Sequence, residues 1–226
     1  YTFATLAVGA EYTFKVATLL DCVMKLTEGD LLIITDDSDE INTLIKNRGY
    51  EGSTRLTVKL LTEVTSHGIW YDNRKFNFNL KLLPTKVAYA MDKYDLIIHI
   101  DADAFMIGWD EQSVQDFIAT PEQGLIARLR NRPCEEVGTH FILEPKARSL
   151  SIELIQIKAK MPIEVFMMFK TRCPEFPKFI EEWTAIVERC HSRGIDPFME
   201  ALEIAYAISE SKLPHYPVLD YMRIYN

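Results

Sequence analysis

The sequence has few cysteines, no run of basic residues and no long hydrophobic stretch. Its 226 residues include 25 Lys and Arg against 33 Asp and Glu, which gives a net charge of −8. Nucleic-acid binding needs clustered Lys and Arg to neutralise phosphates, so we expect no nucleic acid as a partner. No apolar run reaches the roughly 18–20 residues of a membrane-spanning helix, so we expect no membrane span in this chain.

The four cysteines, Cys22, Cys134, Cys173 and Cys190, have no metal-like spacing. Cys22 and Cys190 fall in apolar patterns of helical period, which is typical of reduced thiols in a core. Reduced thiols favour a cytoplasmic location, and no signal peptide is visible. The chain begins at Tyr1 without Met, which leaves a preceding segment, such as a membrane anchor, as an open alternative.

The sequence does contain enough apolar material for one large core, because 48% of its residues are hydrophobic. Without repeats or low-complexity linkers, it is expected to form a single domain over residues 1–226. Short apolar runs predict strands over residues 2–8 and 31–35, and an alternating pattern predicts a third over residues 54–61. Helices are predicted over residues 11–26, with Phe14, Ala17, Leu20 and Met24 on one face, and 38–47, capped by Ser38. The order β-α-β-α-β implies a parallel sheet with right-handed crossovers.

The remainder is less regular. The helical pattern over residues 76–91 contains Pro84, which should kink the helix or start a second one. Later strands are predicted over residues 96–100, 124–129, 139–143 and 163–169. Later helices are predicted over residues 114–118, 175–193 and 196–211, the second of them burying Phe179, Trp183, Ile186 and Cys190 and the third capped by Asp196.

The most informative stretch is Asp95-Leu-Ile-Ile-His-Ile-Asp-Ala-Asp-Ala-Phe105. Its apolar run reads as a strand buried on both faces, followed by Asp101 and Asp103 at the carboxyl end. Alternation along an extended backbone predicts both carboxylates on the same side, where a hard divalent ion such as Mg²⁺ or Mn²⁺ would relieve their repulsion. The structural alternative is that Asp101 caps a turn and Asp103 is solvated.

Four stretches, in this order, resemble GT-A glycosyltransferases and most closely the small retaining enzymes of glycosyltransferase family 8. They are Leu6-Ala-Val-Gly-Ala-Glu-Tyr12, Thr35-Asp-Asp37, Phe78-Asn-Leu-Lys-Leu-Leu-Pro84 with residues 94–103, and residues 163–170 with 196–215. The resemblance implies a GT-A fold: an α/β, Rossmann-like, mixed and mainly parallel sheet flanked by helices. Residues 1–105 would form a nucleotide-binding half and residues 106–226 an acceptor-side half.

The resemblance also implies an activity, a cofactor and site residues. The activity is metal-dependent transfer of a sugar from a nucleotide diphosphate, most simply a UDP-sugar, to a hydroxyl of a glycan or another acceptor, with Mn²⁺ or Mg²⁺ as cofactor. Tyr12 would stack on uracil. The other implied nucleotide contacts are Ala7, Val8, Asp36, Asp37, Lys81, Asp101 and Ala102, and the implied metal ligands are Asp101, Asp103 and His215.

Two features depart from the family pattern. Its late His-x-x-Gly-x-x-Lys-Pro-Trp signature is absent, which makes His215 the late histidine that could replace it as a metal ligand. The Asp-Gln pair that opens its late helix is Asp196-Pro197 in this sequence, and Asp196 is retained as a candidate catalytic residue.

Glu164 is the candidate that the residues themselves suggest for acceptor chemistry. It lies at the start of the apolar strand over residues 163–169, where burial would raise the pKa of its carboxyl group. Such a group could orient or deprotonate an acceptor hydroxyl. Two alternative functions remain open: a phosphatase of the haloacid-dehalogenase type, whose Asp-x-Asp usually follows the first strand rather than the fourth, and a non-catalytic sugar-nucleotide-binding domain.

Overall fold

The computed structural model describes residues 1–65, 78–120, 123–129, 162–193, 200–217 and 224–225. The strands are β1 (Thr2–Ala7), β2 (Asp30–Thr35), β3 (Leu56–Leu60), β4 (Leu96–Ile100), β5 (Phe105–Met106), β6 (Leu125–Leu129), β7 (Pro162–Lys170), β8 (His215–Pro217) and β9 (Ile224–Tyr225). The helices are α1 (Ala10–Leu26), α2 (Ser38–Asn47), α3 (Leu61–Val64), α4 (Leu82–Ala90), α5 (Glu111–Ala119), α6 (Phe176–Ser192) and α7 (Glu200–Ser211), and a 3₁₀ turn, Phe78–Lys81, precedes α4.

Seven strands form one sheet in the order β3-β2-β1-β4-β7-β6-β8, and β5 pairs with β9 in a small second sheet. Strands β1 to β4 are mutually parallel, β7 is antiparallel to both β4 and β6, and β8 is parallel to β6. The prediction of an α/β architecture with a mixed, mainly parallel sheet is confirmed. Strands from both halves of the sequence build the same sheet, as expected of a single domain.

The core lies on both faces of this sheet because neighbouring strand residues point in opposite directions. Phe3, Ile33 and Ile98 face α1, α2 and α5 on one side. Ala4 and Ile97 face the other side, where α4, α6 and α7 pack. The central strands are thus covered on both faces, which explains their continuous apolar runs.

Several local predictions are confirmed. The chain forms a 3₁₀ turn and then α4, which places Pro84 in the first turn of a new helix where its missing N–H costs little. Helix α6 buries the four residues predicted for its inner face, Phe179, Trp183, Ile186 and Cys190. The predicted strand over residues 139–143 and the cap at Asp196 lie outside the described residues.

Two local predictions are wrong. Phe14 was expected on the packed face of α1 with Ala17 and Leu20, which are buried, but Phe14 is 79% exposed because the packed face turns towards Val16, Leu19 and Val23. The cap of α2 is Asp37 rather than Ser38, since one Asp37 carboxylate oxygen accepts the Glu40 N–H at 2.9 Å.

The cysteines and the membrane prediction have partial outcomes. Cys22, Cys173 and Cys190 are free thiols, the first half-buried and the other two buried. Cys134 lies outside the described residues. Within the described part of the chain, the helices are too short or too polar to span a bilayer.

Candidate functional site

The strand order reverses direction beside β1. From β1 the chain adds β2 and then β3 on one side, and it then crosses to place β4 on the other side of β1. In open α/β sheets, ligands bind beyond the carboxyl ends of the strands at such a reversal. The carboxyl ends of β1, β2 and β4 are therefore the first place to look for a functional site.

Beyond β1, a glycine turn joins the strand to α1. Gly9 has φ +83°, a conformation that a side chain would strain, and this explains the glycine between strand and helix. Its N–H donates to both carboxylate oxygens of Asp36, at 2.9 and 3.1 Å. Asp36 follows β2 directly, so this contact fastens the ends of the two strands to each other.

Beyond β4, the chain turns sharply at the Asp-x-Asp pair. The strand ends at Ile100, and the Ala104 N–H donates to the Asp101 carbonyl at 3.0 Å, which closes a tight turn. This turn removes the extended backbone through Asp103 on which the expected same-side placement of the two carboxylates rests. Each carboxylate is paired with a lysine, one from the 3₁₀ turn before α4 and one from α1.

Asp101 is paired with Lys81, the last residue of the 3₁₀ turn before α4. The ammonium contacts both carboxylate oxygens, at 3.0 and 3.2 Å. Both side chains are mostly shielded from water, with 15% and 17% of their surfaces exposed. A two-oxygen contact with this degree of burial is stronger than a surface ion pair.

Asp103 is paired more loosely with Lys15 of α1. The closest distance from Nζ to a carboxylate oxygen is 3.6 Å, and both side chains are about one-third exposed. Lys15 also contacts Glu11 at 2.8 Å and lies 5.1 Å from the centre of the Tyr12 ring. The hydrogen bond to Glu11, followed by the charges of Glu11 and Asp103, raises the pKa of Lys15.

A second contact beneath the Lys81–Asp101 pair aligns α4 with β4. Thr85 lies one helical turn after Lys81, and its hydroxyl is 3.3 Å from Nδ1 of His99, which lies two residues before Asp101. Among the described residues, Nε2 of His99 has no hydrogen-bond partner. Burial, and secondarily the Lys81 charge, lowers the pKa of His99 to about 3, so the ring is neutral at pH 7.

The remaining nucleotide candidates lie at the same edge of the sheet. Ala7 ends β1, Val8 follows it, and both are buried, as is Ala102 in the turn after β4. Tyr12 lies in the first turn of α1 and is half-buried. Asp37 follows β2, and its side chain caps α2.

The acceptor-side candidates are placed less completely. Phe166 of β7 is opposite Ile100 of β4 in an antiparallel pair, so the backbone of Glu164 lies beyond Ile100, level with Ala102. It therefore stands one strand away from the Asp-x-Asp turn, at the same end of the sheet. Asp196 lies outside the described residues.

His215 is not brought to the Asp-x-Asp turn. It begins β8, which is separated from β4 by β7 and β6, and the register aligns it with Ile97, four residues before Asp101. Three strand spacings give about 14 Å across the sheet, and four residues add about 13 Å along it. The prediction that His215 shares a metal ion with Asp101 and Asp103 is wrong in this structure.

Asp101 and Asp103 suit a cation that takes most of its ligands from water and substrate phosphates. Among the described residues, no group of three or more His, Cys, Asp or Glu side chains is arranged to hold a metal ion. The carboxylates of Asp101 and Asp103 are hard oxygen donors. Mg²⁺ typically binds through one or two carboxylates together with water and substrate phosphates, so this limited donor set fits such an ion.

Comparisons with known proteins add no assignment: no family model matches this sequence, and no match was found among curated proteins.

Sequence reasoning missed Lys15, Thr85 and the contact between Gly9 and Asp36. Lys15 and Thr85 each stand four residues after another polar site residue, Glu11 and Lys81 respectively, which is a spacing that places side chains together on a helix. Their partners, however, lie on strands distant in sequence. The i,i+4 spacing was a usable signal, but it could not identify those partners.

Proposed function

We propose that this protein is a metal-dependent glycosyltransferase that moves a sugar from a nucleotide diphosphate, preferably a UDP-sugar, to an acceptor hydroxyl. The observation that carries the proposal is the convergence of three strand ends on Asp36, Asp101 and Asp103 where the strand order reverses. The β3-β2-β1-β4 order matches the first four strands of the doubly wound fold that binds dinucleotides. This arrangement supports the GT-A assignment that the sequence resemblance implies.

The charge at this edge explains why a metal ion would be required. Asp36, Asp101 and Asp103 stand beside two lysines, so a nucleoside diphosphate would bring further negative charge to an already acidic site. A divalent cation held by Asp101 and Asp103 would neutralise charge on the leaving diphosphate. Lys81 is close enough to Asp101 to contact an adjacent phosphate, and we assign it that role.

The remaining roles follow from position along the edge. Tyr12 and Asp37, near the ends of β1 and β2, are assigned to the uracil base and ribose. Glu164, whose backbone lies beside the Asp-x-Asp turn on β7, is assigned to the acceptor. The nucleotide would thus lie across β1 and β2, with the reacting sugar towards β7.

Calorimetry of UDP binding with and without Mn²⁺ tests this proposal. We expect Mn²⁺ to raise UDP affinity at least about tenfold, equivalent to about 1.4 kcal/mol. Asp103→Asn should abolish most of that gain, whereas Asp95→Asn should retain it. Asp95 is a matched control because it is an exposed acid, paired with Arg172, at the opposite end of β4.

Four results would contradict the proposal. Equal UDP affinity with and without Mn²⁺ would reject the metal role. Preference for GDP, CDP or ADP in competition would reject the uracil assignment. Hydrolysis of p-nitrophenyl phosphate without hydrolysis of any UDP-sugar would favour a phosphatase, and binding without either reaction would indicate a non-catalytic domain.

A further inference from the structure

We propose that Lys81 and Lys15 are exchangeable counter-ions of the Asp-x-Asp pair, which a divalent cation must displace and which then bind the diphosphate. This inference rests on the proposed function, and it adds Lys15 to the site. It predicts that each lysine opposes binding of the metal ion alone but favours binding of the nucleotide once the metal is present.

A metal ion and the two lysines would compete for the same carboxylate oxygens. The Lys81 ammonium contacts both oxygens of Asp101, and Lys15 contacts one oxygen of Asp103. A divalent ion such as Mg²⁺ binds carboxylate oxygen at about 2.1 Å. An ammonium group at 3.0 Å from the same oxygens would then lie close to the ion and be repelled by its two charges. Metal binding therefore requires the lysines to move.

The displaced ammonium groups have an evident destination. A nucleotide bound through its phosphates to the same ion would bring anionic oxygens next to Asp101 and Asp103. Lysine side chains are long and flexible, so both ammonium groups can reach phosphate without movement of α1 or α4. Charge-assisted hydrogen bonds to phosphate would replace those lost from the carboxylates.

The two lysines should not oppose metal binding equally. Lys81 makes a shielded, two-oxygen contact, whereas Lys15 makes a longer contact in which both side chains are one-third exposed. Lys15 also contacts Glu11 at 2.8 Å, and this contact can remain when a metal ion binds Asp103. Displacement of Lys81 should therefore oppose metal binding more strongly than displacement of Lys15.

Titration of the protein with Mn²⁺ alone, with free Mn²⁺ measured by electron paramagnetic resonance, tests the first half of the proposal. Lys81→Met should raise Mn²⁺ affinity about tenfold or more, the effect of removing one hydrogen-bonded charge. Lys15→Met should raise it by less than about fivefold. Lys81→Arg keeps the charge and should stay close to wild type.

Calorimetry of UDP binding at saturating Mn²⁺ tests the second half. Lys81→Met should lower UDP affinity about tenfold, in the direction opposite to its effect on the metal ion. Lys93→Met is the matched control, because Lys93 pairs with Asp30 at 3.2 Å at the opposite end of the sheet. It should change neither affinity. If Lys81→Met fails to fold, Lys15→Met must still show both opposing changes.

The outcomes separate this inference from the proposed function. Wild-type binding of Mn²⁺ that Asp101→Asn abolishes, with unchanged Mn²⁺ affinity in both Lys→Met variants, would overturn the exchange and leave the proposed function standing. Failure of wild type to bind Mn²⁺ alone, or equal binding by Asp101→Asn, would overturn the exchange, whereas UDP affinity that is the same with and without Mn²⁺ would overturn the proposed function.

Discussion

Glu203 on α7 is a carboxyl group held in an apolar environment. Only 3% of the residue is exposed, and its Oε1 has no hydrogen-bond partner among the described residues. Around it, α7 is packed against α6 through apolar residues. Burial raises the pKa of Glu203 to about 7, against a smaller lowering effect of its hydrogen bond with Cys190. The folded protein therefore carries this group protonated at mildly acidic pH.

This carboxyl group should make the folded protein less stable as the pH rises. The unfolded chain releases the proton near pH 4.5 and the folded chain only near pH 7. Unfolding is therefore favoured progressively across that interval, by up to about 3 kcal/mol above it. Glu203→Gln should match wild type near pH 4 and exceed it by up to about 3 kcal/mol at pH 8, in urea unfolding at each pH.

A matched control for Glu203 is Glu188→Gln, which alters an exposed acid on the neighbouring helix α6. It should leave the pH dependence unchanged. If wild type and Glu203→Gln differ by a constant amount from pH 4 to pH 8, the Glu203 carboxyl does not titrate on unfolding in this range.

At the scale of elements, the carboxyl end of α1 is closed by a side chain from outside the helix. The Arg55 guanidinium, just before β3, donates to the carbonyls of Val23, Thr27 and Gly29, the Thr27 bond being 2.8 Å. Carbonyls at a helix end lack partners within the helix, and a cation is favoured there by the helix dipole. Arg55 thus joins α1 to the start of β3.

Arg55→Lys should weaken this connection although it keeps the charge. An ammonium group cannot reach all three carbonyls in the geometry of a guanidinium fork. We expect a loss of about 1–2 kcal/mol in the free energy of unfolding, measured by chemical denaturation. Arg48→Lys, an exposed residue paired with Asp21, should change it by less than about 0.5 kcal/mol. Equal effects of both substitutions would argue against a special role for Arg55.

The elements also show which predictions a local pattern can support. Strands β2 and β4 are nearly continuous apolar runs, which are typical of strands buried on both faces. Helix α1 has apolar residues around much of its circumference, so counting by period selected the face with Phe14 as readily as the true one. Which face of α1 packs depends on how the helix lies on the sheet, and the local sequence pattern does not give that orientation.

The candidate site was also predictable only where it depends on local sequence features. The position of Asp101 and Asp103 after a buried strand placed them at the carboxyl edge of the sheet, because strand ends are local features. The turn at Asp101 and the two lysines were not predictable, since those contacts come from helices packed on opposite faces. His215 was assigned by resemblance alone, and the register of β8 moves it away.

At the scale of the whole molecule, the second half of the sequence completes the sheet begun by the first. Strand β7 inserts antiparallel beside β4, with Phe166 opposite Ile100 although more than sixty residues separate them in sequence. Local patterns predict the existence of such a strand but not its neighbour. The insertion matters for function because the start of an antiparallel strand adjoins the carboxyl end of the strand beside it.

This topology gives a physical reason to test Glu164. Its backbone lies near the end of the sheet that carries the Asp-x-Asp turn, on the strand between β4 and β6. If Glu164 orients or deprotonates the acceptor hydroxyl, Glu164→Gln should lower the rate of sugar transfer roughly 10²-fold or more. Its affinities for UDP and Mn²⁺ should remain those of wild type, because neither ligand is assigned to this side chain.

Three measurements on Glu164→Gln distinguish a catalytic role from a structural one. Transfer rate, UDP affinity in Mn²⁺, and thermal unfolding should show the first reduced and the other two unchanged. Unchanged turnover would remove Glu164 from the acceptor site. A loss of stability together with lower activity would instead assign it to holding the start of β7, since an acid there is costly unless it is hydrogen-bonded. A fall in UDP affinity would place the nucleotide further towards β7 than the strand reversal at β1 indicates.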